Sequence, residues 1–123
     1  MPTCPRVLVI DGNRDEADGL KSLLEGYGHE VHAVDSGIAG LWDARLRRPD
    51  IVLVDLRLPG ALDGLAVART IRRELALATL RLIAITGYAD EKVFQQAQES
   101  GVEPVLTKPV DPPVLERLLQ GQA

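Results

Sequence analysis

The sequence predicts an α/β fold: a single doubly wound (βα)5 three-layer sandwich, with a parallel five-stranded sheet between two layers of helices. Three observations carry this. Five short apolar runs alternate with stretches whose apolar residues recur at helical spacing. Such alternation makes parallel strands joined by crossover helices. The chain has 123 residues and no repeat, linker or low-complexity segment, enough for one domain with one core. Residues 1–123 therefore read as a single domain, with its core over 6–119.

The elements follow in order. Arg6–Ile10 is an apolar run that reads as a buried strand and ends in Asp11. Asn13 is a good N-cap, after which Ala17, Leu20, Leu24 and Tyr27 share a helical face that Gly28 stops. Glu30–Val34 alternates apolar and polar, as an edge strand does. Ser36 caps a second helix with Ile38, Leu41, Trp42 and Ala44–Leu46 on its packed side, and Pro49 bars its continuation. Asp50–Asp55 is the central strand; a loop over Leu56–Asp63 leads to a helix with Leu65, Ala68, Ile71 and Leu75 inward. Arg69, Arg72 and Arg73 on that helix read as a solvated basic face. Arg81–Thr86 is a fourth buried strand, and Asp90 caps a helix bearing Val93 and Ala97 that Gly101 ends. Glu103–Thr107 is a fifth strand; Asp111 and Pro112 open a last helix with Val114, Leu115, Leu118 and Leu119, and the tail from Gln120 is expected to fray. The natural strand order is 2-1-3-4-5, the flavodoxin-like arrangement.

Bulk properties exclude several functions. Aromatics make up 3% of the chain, so the core must be aliphatic. A formal net charge of -4 gives no electrostatic reason to expect direct nucleic-acid binding. No apolar run is long enough to cross a membrane and the first residues lack a signal-peptide core, so cytoplasmic residence is the default. The single cysteine, Cys4, rules out an intrachain disulfide and precedes the first strand, far from any strand C-terminus. His29 and His32 lack partners at metal-ligand spacing and read as surface residues.

The strand ends carry the chemistry. In an open α/β sheet, ligands bind beyond the carboxyl ends of the strands, at the point where strand order reverses. Strands 1, 3, 4 and 5 end at Asp11, Asp55, Thr86 and Lys108: two acids, a hydroxyl and an amine on one edge. That set suits phosphoryl transfer to a carboxylate. Asp55 would be the nucleophile; Lys108 and Thr86 would hold phosphoryl oxygens. A hard cation such as Mg²⁺ would be held by Asp11, Asp55 and the backbone carbonyl of Arg57. The plainer alternative is a structural ion pair of Asp11 and Asp55 with Lys108.

With those residues in place, the pieces VLVIDGNRDEAD, RPDIVLVDLRLPGALDG, LIAITGY and VLTKPVD closely resemble the receiver domain of bacterial two-component response regulators. The resemblance spans residues 6–119. It implies Mg²⁺ dependence and phosphorylation of Asp55 by a histidine kinase or phosphotransfer protein. It also implies a switch residue at Thr86, a phosphate-binding Lys108 and a cis Lys108-Pro109 bond. Output would pass to a downstream protein through the face of helix 4, strand 5 and helix 5, near Phe94, Ala97, Val105 and Val110–Val114. No effector domain follows Ala123 in the sequence, so readout would fall to another protein or to a part outside these residues.

Two positions depart from the family pattern. The acidic pair after strand 1 is here Asp11-Gly12, which removes one carboxylate and should weaken Mg²⁺ binding. Arg57 is the candidate substitute: its guanidinium would pair with Asp11 or with the phosphoryl group. Val105 stands where the family often has an aromatic residue, so an aromatic rotamer cannot report phosphorylation there; Tyr88 could move instead, or act as a rim residue. These departures keep a rival reading open, a degenerate receiver that binds proteins independently of phosphorylation. A small Mg²⁺-dependent phosphatase is a third class. It would need an acid/base carboxylate beside Asp55, and Leu56–Leu58 supplies none.

Overall fold

The structure is a computed structural model that describes residues 4–121, with the side chain of Leu75 outside that description. Its five strands are β1 (Val7–Ile10), β2 (Val31–Val34), β3 (Ile51–Asp55), β4 (Arg81–Thr86) and β5 (Val105–Thr107). They pair in parallel in the order β2-β1-β3-β4-β5, as the sequence predicts. The helices are α1 (Arg14–Gly26), α2 (Gly37–Arg47), α3 (Gly64–Arg73), α4 (Glu91–Glu99) and α5 (Pro112–Leu119). A short 3-10 turn at Leu75–Leu77, absent from the sequence reading, follows α3.

Strand alternation divides the core between two faces. Leu8, Ile10, Val52, Val54, Leu82 and Ala84 pack toward α2, α3 and α4. Val7, Val9, Ile51, Leu53, Ile83 and Ile85 pack toward α1 and α5. The helix starts are fixed by side-chain caps: Asn13 accepts from the Glu16 N–H, Ser36 from Ala39, Asp63 from Ala66 and Asp90 from Val93. Gly28, at φ 99, and Gly101, at φ 82, follow α1 and α4 in the left-handed conformation that ends helices.

Several expectations need correction. Trp42 does not pack: it is 66% exposed, and Ile38 and Leu46 are exposed beside it. The packed side of α2 is Gly37, Gly40, Leu41 and Ala44. A Cβ at Gly40 would lie 2.4 Å from Ile10 Cδ1, so α2 approaches the sheet too closely for large side chains. Trp42, one residue beyond Leu41, is turned outward, where the Arg45 guanidinium lies 5.6 Å from its ring centroid. Tyr27 is likewise exposed at the end of α1.

His29 is not a surface residue. It is buried, with Nδ1 2.8 Å from the Pro5 carbonyl and Nε2 2.7 Å from Glu116 Oε1. His32 is half-buried on the edge strand β2. The basic cluster on α3 is not simply solvated either. Arg72 donates to the carbonyls of Gly101, Ala78 and Leu80, clasping the turns before β4 and after α4. Val67 joins Ala68 and Ile71 on the inner face of α3, while the inward placement expected for Leu75 falls outside the described side chains. Gln120 and Gly121 complete the turn that ends α5, and the rest of the expected frayed tail lies outside the described residues.

Candidate functional site

The strand register brings the predicted residues to one edge. Ile10 pairs with Val54, so Asp11 and Asp55 leave their strands side by side. Both carboxylates are buried, Asp11 at 2% and Asp55 at 7% exposure. Burial of that kind demands a partner. In each, one oxygen is tied to local backbone: Asp11 Oδ1 accepts from Asn13 N–H and Asp55 Oδ1 from Arg57 N–H, both at 2.9 Å. The second oxygen of each faces Lys108, whose Nζ lies 3.1 Å from Asp11 Oδ2 and 3.0 Å from Asp55 Oδ2. Lys108 reaches them from the end of β5, where its peptide bond to Pro109 is cis.

A third acid joins them that the sequence reading missed. Glu16 Oε2 lies 2.5 Å from Lys108 Nζ. The available signal was spacing: Glu16 sits three residues after the cap Asn13, on the turn of α1 nearest the pocket. Burial alone would lower the Lys108 pKa, but hydrogen bonds to Glu16, Asp55 and Asp11 outweigh it and raise the pKa above the ordinary lysine value.

Thr86 is buried at the end of β4, but its hydroxyl is not directed at Asp55. It donates to the Tyr88 carbonyl at 3.0 Å. To hold a phosphoryl oxygen it must give up that bond. Arg57 is exposed, and among the described residues its guanidinium pairs with no carboxylate; it lies 5.8 Å from the centroid of the Tyr88 ring. The expected Arg57–Asp11 pairing is thus not formed, because Lys108 already occupies the free oxygen of Asp11. Arg57 and Tyr88 instead make a cation–π contact across the β3 and β4 ends. Val105 is half-buried in β5 and packs against the α2–α4 core.

Gly12 is explained by its neighbour. A Cβ there would lie 2.5 Å from Pro59 Cδ, so the space a side chain at position 12 would enter is taken by the ring of Pro59. Gly64 makes an equally close approach at the start of α3: a Cβ there would lie 2.3 Å from the Asp55 carbonyl oxygen. The loop from Asp55 to Gly64 is therefore folded tightly under the pocket. An open cleft along it is lined by Gly12, Asn13, Asp55, Arg57, Pro59 and Asp63.

The donor set fits a hard cation. Asp11, Glu16 and Asp55 each offer a carboxylate oxygen, all within 4.8 Å of one another. No helix among the described residues is long and apolar enough to cross a membrane.

The doubly wound sheet gathers two buried acids, a buried hydroxyl and a lysine at its switch point, and comparison with known proteins gives the class, a signalling domain. Residues 7–120 match the response regulator receiver domain family, and the chain belongs to that family. It is 32% identical to protein PilH of Pseudomonas aeruginosa, covering 94% of this chain and 95% of PilH. It is 36% identical to the transcriptional regulatory protein CseB of Streptomyces coelicolor, covering 89% of this chain but 45% of CseB. Among solved structures it resembles the receiver domain of a sensor histidine kinase from Pseudomonas aeruginosa, with a TM-score of 0.86, 29% identity and 95% of each chain covered. That domain was solved with a magnesium ion coordinated in its active-site cleft. Receiver domains bind Mg²⁺ at an acidic site and work with histidine kinases and downstream effectors in phosphorelay signalling.

Proposed function

We propose that this chain is a phosphoacceptor receiver. The observation that carries this reading is the Lys108 ammonium placed between two buried carboxylates, at 3.0 Å from Asp55 and 3.1 Å from Asp11. Asp55 attacks the phosphorus of a phosphohistidine on a kinase or phosphotransfer protein. The N–P bond breaks as the O–P bond forms, and the imidazole keeps the released electron pair and takes a proton. Lys108 stabilises the charge on the transferred oxygens, and Thr86 exchanges its bond to Tyr88 for one to a phosphoryl oxygen. Asp11, Asp55 and the Arg57 carbonyl would hold Mg²⁺, which neutralises phosphoryl charge when bound. Water later releases phosphate, with no acid/base carboxylate on Leu56–Leu58 to speed it. Arg57 and Tyr88 form the exposed rim that an incoming phosphohistidine must pass.

The rearrangement at Thr86 changes the face of α4, β5 and α5, where Phe94 is exposed, and with it affinity for a downstream protein. This role needs no direct nucleic-acid contact and belongs in the cytoplasm. One observation favours the rival, a phosphorylation-independent binding module: the Pro59 ring fills the space where an acid at position 12 would begin, which weakens the cation site.

The experiment is incubation with a small phosphodonor across a range of Mg²⁺, read by intact mass. A gain of one phosphoryl group, abolished in Asp55→Asn, is the expected result. No gain at any Mg²⁺ concentration selects the binding module.

A further inference from the structure

We propose that Glu16 is a built-in competitor of the phosphoryl group for Lys108, holding the ammonium while Asp55 is unmodified and yielding it on transfer. The inference rests on the phosphoacceptor reading above and concerns how that site is restrained.

An ammonium has three N–H donors and no acceptor. In Lys108 all three are engaged, by Asp11, Asp55 and Glu16. A phosphoryl group on Asp55 brings about −1.5 to −2 charge and three acceptor oxygens to this spot. The donor held by Asp55 passes to one phosphoryl oxygen as its carboxylate loses its charge, and a second phosphoryl oxygen has to displace Asp11 or Glu16. Asp11 cannot: it is buried, and its other oxygen is tied to the Asn13 N–H. Glu16 can, because its side chain is 45% exposed and, among the described residues, its carboxylate accepts from Lys108 alone.

Local chain logic explains why Glu16 points there. An acid three residues after a cap ordinarily folds back onto the cap N–H. Here that N–H is already taken by Asp11 Oδ1, so Glu16 is free to extend to Lys108. With Asp11 and Asp55, Glu16 makes a set of three carboxylates within 4.8 Å of one another, and in this structure it is the Lys108 ammonium that they share. Glu16 lines a groove of about 430 Å³ with Asp11, Leu20, Lys108 and Val110. Gly12, Arg57 and Pro59 line a separate cleft with Asp55, which Glu16 does not border.

The test compares the wild-type chain with Glu16→Gln and Glu16→Asp, using a small phosphodonor at saturating Mg²⁺. Initial phosphoryl gain is read by intact mass. Separately, reductive methylation of Lys108 without phosphodonor is read by peptide mass. Glu16→Gln is expected to gain phosphate about two- to five-fold faster, the effect of a half-exposed ion pair. That advantage should shrink in high salt, and Lys108 should methylate faster than in the wild type. Glu16→Asp, which keeps the charge on a shorter arm, should fall between the two. The proposal is overturned if the wild type accepts phosphate and Glu16→Gln does so no faster. A rise in the Mg²⁺ needed by Glu16→Gln also overturns it, since Glu16 would then be a metal ligand. If no variant accepts phosphate, the parent reading falls as well, a result distinct from either of these.

Discussion

At the scale of single residues, the pocket is governed by close approaches and one saturated cation. Gly12 does not leave a hole that an acid could refill. Gly12→Asp has to push the Pro59 ring aside, and should cost about 1–3 kcal/mol in urea unfolding. Pairing it with Pro59→Ala should recover part of that loss; an additive loss would show that Pro59 is not the obstacle. Lys108 contributes stability with a definite pH profile. Its folded pKa lies above the unfolded value of about 10.4, so the contribution is complete below that pH and is lost as pH rises through the folded value. The stability gap between wild type and Lys108→Met should therefore be flat from about pH 7 to 9 and narrow above about 10.4. Equilibrium unfolding across that range checks it. The four strand-end residues were legible because residue type and position coincide: an acid, hydroxyl or amine directly after an apolar run. Glu16 was not, because a helical residue acts at that edge only through a contact from β5 far along the chain.

At the scale of elements, local signals did well and long-range polar ties did not. The caps at Asn13, Ser36 and Asp90 are properties of three or four adjacent residues, and each was readable; the equivalent cap at Asp63 was passed over as the end of a loop. The face of α2 was misread because its inner side is built of small residues. Leu41 and Trp42 are neighbours in sequence, and only the approach of Gly40 to Ile10 decides which one turns inward. Arg72 gave no sequence signal distinguishing it from Arg69 and Arg73, yet it binds three carbonyls on two turns. Arg72→Ala should cost about 1–3 kcal/mol because those carbonyls lose a charged donor. Arg72→Lys should not restore it, since one compact ammonium cannot reproduce the guanidinium fork. Urea midpoints for the two variants measure both effects.

At the scale of the whole molecule, topology followed from alternation alone, because buried parallel strands need helices on both faces. The same architecture predicts which large residue the fold can lose. Trp42→Gln should change stability by less than about 1 kcal/mol, against about 3–5 for an aromatic residue removed from a core. A core-sized loss on urea unfolding would place Trp42 inside after all. The buried His29 has a wider consequence. By holding Pro5 on one side and Glu116 on the other, it ties the start of the described chain to its last helix. Arg81, at the opening of β4, takes the carbonyls of Leu118 and Leu119 at the same margin of the sheet. Entry and exit thus share the amino margin, opposite the reactive pocket. A tether joined beyond either end of the described residues leaves the Asp11–Asp55–Lys108 margin open, and those two ends could be spliced and the chain reopened elsewhere without crossing it.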